Sequence, residues 1–223
     1  MTMKTPCFFI FASLILASCS TSQKHELVCE KSRVDLILPD TLYSFFPNSS
    51  TKDVECLRFT SNAIKMDAPY LPEEFEATYL LELYKFSSVY SLHRYCDSLI
   101  NEAKTSYSAE DSTYFVIASE SYLLTKFDSL NLSRKYGVYS SKPIILNFNY
   151  LNDKEYNLFS DSTICGLKKG IQIYVLKYGS NSVLAPELEY NWNILPDTIK
   201  HGYSCGIALD EQQLMGLFWV VAW

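Results

Sequence analysis

The sequence predicts an α+β domain: a mainly antiparallel sheet with at least one packed helix and a C-terminal β-hairpin. Three observations carry this prediction. Short segments of alternating or continuous apolar character recur between turn residues along the chain. One segment, residues 87–106, switches to helical spacing. The last twenty residues read as two apolar strands around a polar "EQQ". With 17 Tyr and 13 Phe, the composition suits a β-rich domain with a large aromatic core.

In order, "RVDLIL" (33–38) alternates Val34, Leu36 and Leu38 and reads as a strand. "PDTLYSFFPNSSTKD" is turn-rich and reads as a loop. "VECLRFT" (54–60) is a second strand, and "FEATYLLELYKF" (75–86) a long one with Phe75, Ala77, Tyr79, Leu81 and Leu83 on one face. In the helix over 87–106, Ser87 or Ser88 can cap, and Val89, Leu92, Cys96, Leu99, Ile100 and Ala103 form the apolar stripe. "STYFVIAS" (112–119) then returns as a strand, giving a β-α-β run, followed by strands at "PIILNFNY" (143–150) and "IQIYVLKY" (171–178). In the C-terminal hairpin, "MGLFWVVAW" is apolar on both faces, which places it inside a sheet rather than at an edge. Alternating Leu217, Trp219, Val221 and Trp223 also suggest a final outer-membrane barrel strand, but the rest of the chain lacks the regular series of alternating strands a barrel needs.

The N-terminus is of another kind. Lys4 is followed by "CFFIFASLILA" (7–17), eleven uncharged and mostly apolar residues ending in small ones. That is the pattern of a secretory signal peptide, too short to cross a bilayer that needs roughly 20 helical residues. The small residues run directly into a cysteine: Leu16-Ala17-Ser18-Cys19 resembles the lipobox of bacterial lipoproteins. The resemblance implies that Cys19 carries a diacylglycerol thioether, becomes the mature N-terminus, and anchors the protein to a membrane. Two or more acyl chains hold a protein stably where one does not. "STSQKHE" (20–26) then reads as a polar tether. Ser20, in place of an Asp after the anchor, by the same resemblance points to the outer membrane. The expected organisation is a signal peptide over 1–18, a lipidated tether over 19–26, and a single extracytoplasmic α+β domain over 27–223.

Composition narrows the function. Removing residues 1–18 takes away one Lys and no acid, so the net charge moves from −6 to −7. No basic cluster remains, which argues against nucleic acid. A mature chain of 205 residues (223 less 18) can bury about 70% of its unfolded surface and needs no metal or disulfide scaffold. Cys29, Cys56, Cys96, Cys165 and Cys205 remain after Cys7 and Cys19 are set aside. Five is odd, so at least one thiol lies outside any intrachain disulfide, and the pairing is left open. No CxxC occurs, and most of these residues read as small buried hydrophobes.

Candidate chemistry is sparse. His25 lies in the tether; His93 and Asp97 have the i,i+4 spacing of a surface pair; no set of residues has metal-ligand spacing, and no cofactor motif occurs. "KHGYSCGIALD" (200–210) is the sharper candidate: Cys205 and His201 would make a thiolate nucleophile if a turn at Gly202 brought them together. On a strand, residues four apart are separated by about 13 Å. The alternative is that Cys205, Ile207 and Leu209 simply point inward.

One pattern exceeds chance. Six of eleven Asp precede Ser or Thr, against about two expected from composition: Thr41, Ser98, Ser112, Ser129, Ser162 and Thr198 follow Asp40, Asp97, Asp111, Asp128, Asp161 and Asp197. The third residues are Leu, Leu, Thr, Leu, Thr and Ile. These triplets are similar to the O-glycosylation acceptor motif of Bacteroides-type bacteria; Asp-Ser and Asp-Thr also favour turns on their own. The whole resembles the uncharacterised envelope lipoproteins of such bacteria. The resemblance implies a lipid-anchored, periplasmic or surface-facing protein and carries no activity; the absence of a compact catalytic set makes a non-enzymatic module that binds a protein or small-molecule partner the leading expectation. The rival readings are an envelope hydrolase using Cys205 and His201, and an immunity or inhibitor protein.

Overall fold

The computed structural model describes residues 36–48, 51–63, 77–111, 115–117, 144–148, 156–160, 162–189 and 200–223. Their architecture is α+β. Six strands form one antiparallel sheet: β1 (Val54–Ser61), β2 (Thr78–Phe86), β3 (Thr105–Ser108), β6 (Gln172–Gly179), β7 (Tyr203–Asp210) and β8 (Met215–Ala222), in the order β1-β2-β8-β7-β6-β3. β4 (Phe115–Ile117) and β5 (Ile144–Leu146) pair in parallel as a separate two-stranded sheet. One α-helix, α1 (Val89–Glu102), joins β2 to β3 among the described residues.

The C-terminal hairpin sits inside the sheet. β8 runs between β2 and β7, from Met215 opposite Lys85 and Asp210 to Ala222 opposite Thr78 and Tyr203. Every residue of β8 is buried, as its unbroken apolar run requires. Its side chains alternate between two cores. Met215, Leu217, Trp219 and Val221 face one, with Leu81 and Leu83 of β2 and Ile145, Leu146, Phe148 and Cys165. There the rings of Trp219 and Phe148 meet edge to face at 5.9 Å. Phe218, Val220 and Ala222 face the other, with Leu92 and Cys96 of α1 and Leu38, Leu42 and Phe46. Phe218 is the aromatic hub of that side, with ring centroids 5.3 Å from Tyr84, 5.6 Å from Phe46 and 6.1 Å from Tyr95.

A bulge adjusts β1 to the same two-sided arrangement. Val54 and Cys56 face the α1 side, opposite Phe86 and Tyr84. Strict alternation would then put Arg58 on that side and Phe59 on the other. The register shift between Cys56 and Arg58 inserts one residue, so Phe59 comes to lie opposite Glu82 and packs on the α1 side.

α1 begins where a serine cap is available. The Ser88 hydroxyl accepts the Ser91 N–H at 3.1 Å, and the Ser91 hydroxyl accepts the Ser88 N–H at 2.9 Å, a reciprocal capping box. Leu92 and Cys96 are buried, Tyr95, Leu99 and Ile100 half-buried, and His93, Arg94, Asp97 and Ser98 exposed. The helix is shorter than the 87–106 expected. Ala103 leaves the helical region with ψ 132°, Lys104 N–H donates to the Val175 carbonyl at 2.9 Å, and Thr105–Ser108 becomes the edge strand β3 on β6. The edge of β6 supplies the hydrogen-bond partners of this extended segment.

Two other expectations change. Residues 36–38 do not extend a strand: Leu36 makes a single bridge and Ile37 and Leu38 bend, with Leu36 and Leu38 buried on the α1 side. Residues 33–35 lie outside the described residues. β2 has not one apolar face but two, with Leu80, Tyr84 and Phe86 buried opposite Leu81 and Leu83.

The density of this packing is testable at Gly206, midway along β7. A Cβ there would collide with the Tyr174 carbonyl oxygen of β6 and stand 3.0 Å from Cζ2 of Trp219. Gly206→Ala is expected to lower the unfolding free energy by about 1–3 kcal/mol, because a backbone atom in a central strand has little room to yield. Ser88→Ala, which removes the helix cap, is expected to cost about 1 kcal/mol. Urea unfolding of both variants checks the order; equal stabilities of Gly206→Ala and the parent would contradict the packing.

Candidate functional site

The residues singled out between Lys200 and Asp210 lie at the entry to and along β7. Gly202 makes the entry possible. Its N–H donates to the Trp223 carbonyl and its carbonyl accepts the Trp223 N–H, both at 2.9 Å. A Cβ on Gly202 would stand 2.6 Å from the Gly179 carbonyl and 2.7 Å from the Trp223 ring. The close approach of three backbone segments therefore demands glycine, for packing rather than for a catalytic turn.

Cys205 points into the α1-side core with Ile207 and Leu209 and is fully buried. Burial pushes its thiol up to about 12, against an opposing pull from nearby Lys177. At pH 7 the thiolate fraction is then about 10⁻⁵, where a nucleophilic cysteine needs a substantial one. His201 occupies the bend before β7, and its Nδ1 is buried without a hydrogen-bond partner. No hydrogen bond through that nitrogen joins it to Cys205, so the two residues are near in sequence and not assembled as a base–nucleophile pair through it.

The other cysteines divide sharply. Cys96, Cys165 and Cys205 are reduced thiols, all buried. The Cys96 thiol is also pushed up to about 12, first by burial and then by the neighbouring Asp97 carboxylate. Cys56, buried on β1, is disulfide-bonded, and its partner lies outside the described residues. His93 Nδ1 and Asp97 Oδ1 do meet, at 3.1 Å, as an exposed i,i+4 pair. Among the described residues no three or more His, Cys, Asp or Glu gather as a metal site, and no helix is long and apolar enough to cross a membrane.

Of the Asp-Ser/Thr positions, Thr41, Ser98 and Ser162 are exposed. Thr41 lies in the 3₁₀ turn Asp40–Leu42, where its carbonyl accepts from Lys177 Nζ at 2.8 Å. Ser98 stands on the exposed side of α1, and the Ser162 hydroxyl is 2.8 Å from that of Ser160. Cys19, His25, Ser112, Ser129 and Thr198 lie outside the described residues.

The polar groups that sequence reasoning passed over are buried in the sheet. Glu82 is fully buried on β2, and the Tyr84 hydroxyl donates to its carboxylate while lying 3.0 Å from the Pro47 carbonyl. Ser204, fully buried on β7, donates its hydroxyl to the Ile144 carbonyl of β5. A lone acid within "YLLELYKF" was the available signal for the first of these.

The raised thiols have a consequence for stability. In the unfolded chain these thiols ionise near 9, in the fold only near 12. Between those values the unfolded state binds fewer protons, so stability is full below pH 9 and falls as pH rises from there towards 12. The slope is at most about 1.4 kcal/mol per pH unit per thiol. Cys96→Ala and Cys205→Ala are each expected to flatten the alkaline fall in Tm between pH 8.5 and 10.5. At neutral pH neither thiol should react with iodoacetamide until the protein is unfolded; rapid labelling of native Cys205 would contradict its burial.

Compared with protein-family models, with curated proteins and with solved structures, the chain matches none.

Proposed function

We propose that this chain is an exported, lipid-anchored protein of the cell envelope whose α+β domain binds a protein or small-molecule partner rather than catalysing a reaction. The observation that carries the reading is the run Leu16-Ala17-Ser18-Cys19 at the end of an eleven-residue uncharged segment, followed at once by a polar tether. Cys19 is the lipid attachment point, and the anchor holds through its acyl chains. The outer membrane is the compartment this reading favours.

Two structural facts support the non-catalytic half. The nucleophile candidate Cys205 is sealed in the core with its thiol protonated at neutral pH. The large apolar side chains that do reach solvent include the adjacent Val89 and Tyr90 at the start of α1, with Tyr90 73% exposed. An exposed aromatic beside an aliphatic residue on a capped helix end suits contact with a partner. The exposed Thr41, Ser98 and Ser162 suit glycan attachment outside the cytoplasm, and we include O-glycosylation of one or more of the six Asp-Ser/Thr sites in the proposal.

Intact mass of the protein recovered from the membranes of its native host tests this reading, beside a Cys19→Ala variant. The expected mass starts at Cys19, carries acyl chains and shows hexose-type increments that vanish when the acceptor hydroxyls are replaced. Cys19→Ala should lose the acyl mass and leave the membrane fraction. A lipid-free chain that still contains residues 1–18, or one cleaved elsewhere, would sink the anchor.

A further inference from the structure

We infer that Cys56 is joined to Cys29 in a disulfide that fastens the segment just after the lipid tether to the β1 edge of the sheet; this rests on the lipid-anchor reading above. The assignment follows from counting sulfur atoms. The chain has seven cysteines. Cys96, Cys165 and Cys205 are reduced, and Cys56 is disulfide-bonded. Within the chain its partner must be Cys7, Cys19 or Cys29. Cleavage before Cys19 removes Cys7, and a thioether occupies the sulfur of Cys19. Cys29 is the cysteine that remains.

The chemistry balances with an oxidant of the exported compartment. The two thiols lose two protons and two electrons as the S–S bond forms, and the electrons pass by thiol–disulfide exchange to the disulfide of an oxidoreductase, which leaves as a dithiol. Cys56 is as buried as the three reduced thiols, and what sets it apart is its place on the edge strand β1.

The position of the bond gives it a mechanical role. Cys56 lies on β1, the edge strand of the six-stranded order, and its side chain is buried among Val54, Tyr84 and the α1-side core. Nine residues separate Cys19 from Cys29, and the ten Cα-to-Cα steps between them span at most about 35 Å when fully extended. The disulfide therefore holds the β1 edge within about 40 Å of the acyl chains, so the domain hangs by one defined edge. It also closes a loop of 28 residues, counted from Cys29 through Cys56. A loop of that length restricts the unfolded chain by an amount worth roughly 7–14 °C in Tm for a domain of this size.

The test is a tryptic digest of the full-length protein from membranes, alkylated without reduction and analysed by mass spectrometry. The expected product is "HELVCEK" (25–31) linked to "DVECLR" (53–58), with "CSTSQK" (19–24) carrying lipid. Linkage of "DVECLR" to the peptide bearing Cys96, Cys165 or Cys205, or its recovery alkylated, overturns the pairing while leaving lipid on "CSTSQK" untouched. Linkage to a peptide containing Cys7 or Cys19 overturns both the pairing and the anchor. The expected link with a lipid-free Cys19 keeps the pairing and sinks the anchor alone. As a second measurement, Cys29→Ser, Cys56→Ser and the double variant are expected to lose the same roughly 10 °C of Tm. Additive losses would show that the two sulfurs do not act as one bond.

Discussion

A strand that is apolar on both faces must be covered on both faces, and Met215–Ala222 imposes that condition on everything around it. The β-pleat sends Trp219 and Phe218 in opposite directions, so each needs its own core. On one side the cover is α1 and the aromatic segment around Phe45 and Phe46; on the other it is β5, Phe148 and the stretch around Cys165 and Leu167. Placing β8 between β2 and β7 meets a second condition, since both of its hydrogen-bonding edges are then paired. The neighbouring strands inherit the requirement. β2 buries Leu80 and Leu81 on opposite faces, and β7 buries Ile207 and Ala208 likewise.

Polar groups inside such a sandwich have to be paired within it, because water cannot reach them. The fold uses that necessity to tie layers together. The Tyr84 hydroxyl lies between Glu82 of its own strand and the Pro47 carbonyl of the covering segment, and Ser204 donates across to β5. These contacts fix position where apolar packing alone would allow sliding, since a buried donor without an acceptor costs more than a shifted methyl group. The Trp219 indole N–H, like His201 Nδ1, marks the limit of the device: it is buried without a partner, while the ring itself packs edge to face on Phe148.

Much of this arrangement was legible in the sequence, for identifiable reasons. Strands β1, β2, β6, β7 and β8 carry long β-branched, aromatic or alternating runs, and α1 has a serine cap and a clear apolar stripe. What stayed hidden depended on partners far away in sequence. β3 contains Thr105, Ser106, Tyr107 and Ser108, four residues with no apolar alternation to announce a strand, and it forms because β6 offers an edge. The bulge after Cys56 answers to the register of β2 and has no signature of its own. Alternation at Leu36 and Leu38 was a true signal of burial and a false one of pairing, because periodicity reports which side is apolar, not whether a ladder exists. The Cys205 and His201 pair meets the same limit. His201 and Cys205 were close in sequence, but whether a nucleophile is activated depends on burial and on the groups that three-dimensional packing brings near it.

The cysteines join these threads. A thiol serves catalysis only where solvent and a positive neighbour hold it as thiolate, and Cys205 has the neighbour, Lys177, without the solvent. Its desolvation outweighs that attraction, so the same residue that the sequence offers as a nucleophile acts as a small apolar filler beneath α1. Burial that disarms a thiol also protects it. In an oxidising compartment an accessible cysteine is captured by exchange, and thiols survive where no attacking sulfur can enter. Cys96, Cys165 and Cys205 meet that condition on both sides of the sheet, while the single disulfide-bonded cysteine among the described residues sits on the edge strand, where another part of the chain can approach it. Cys56 is buried to nearly the same degree, so its position on an edge strand, rather than its exposure in the folded chain, is what separates it from the three reduced thiols.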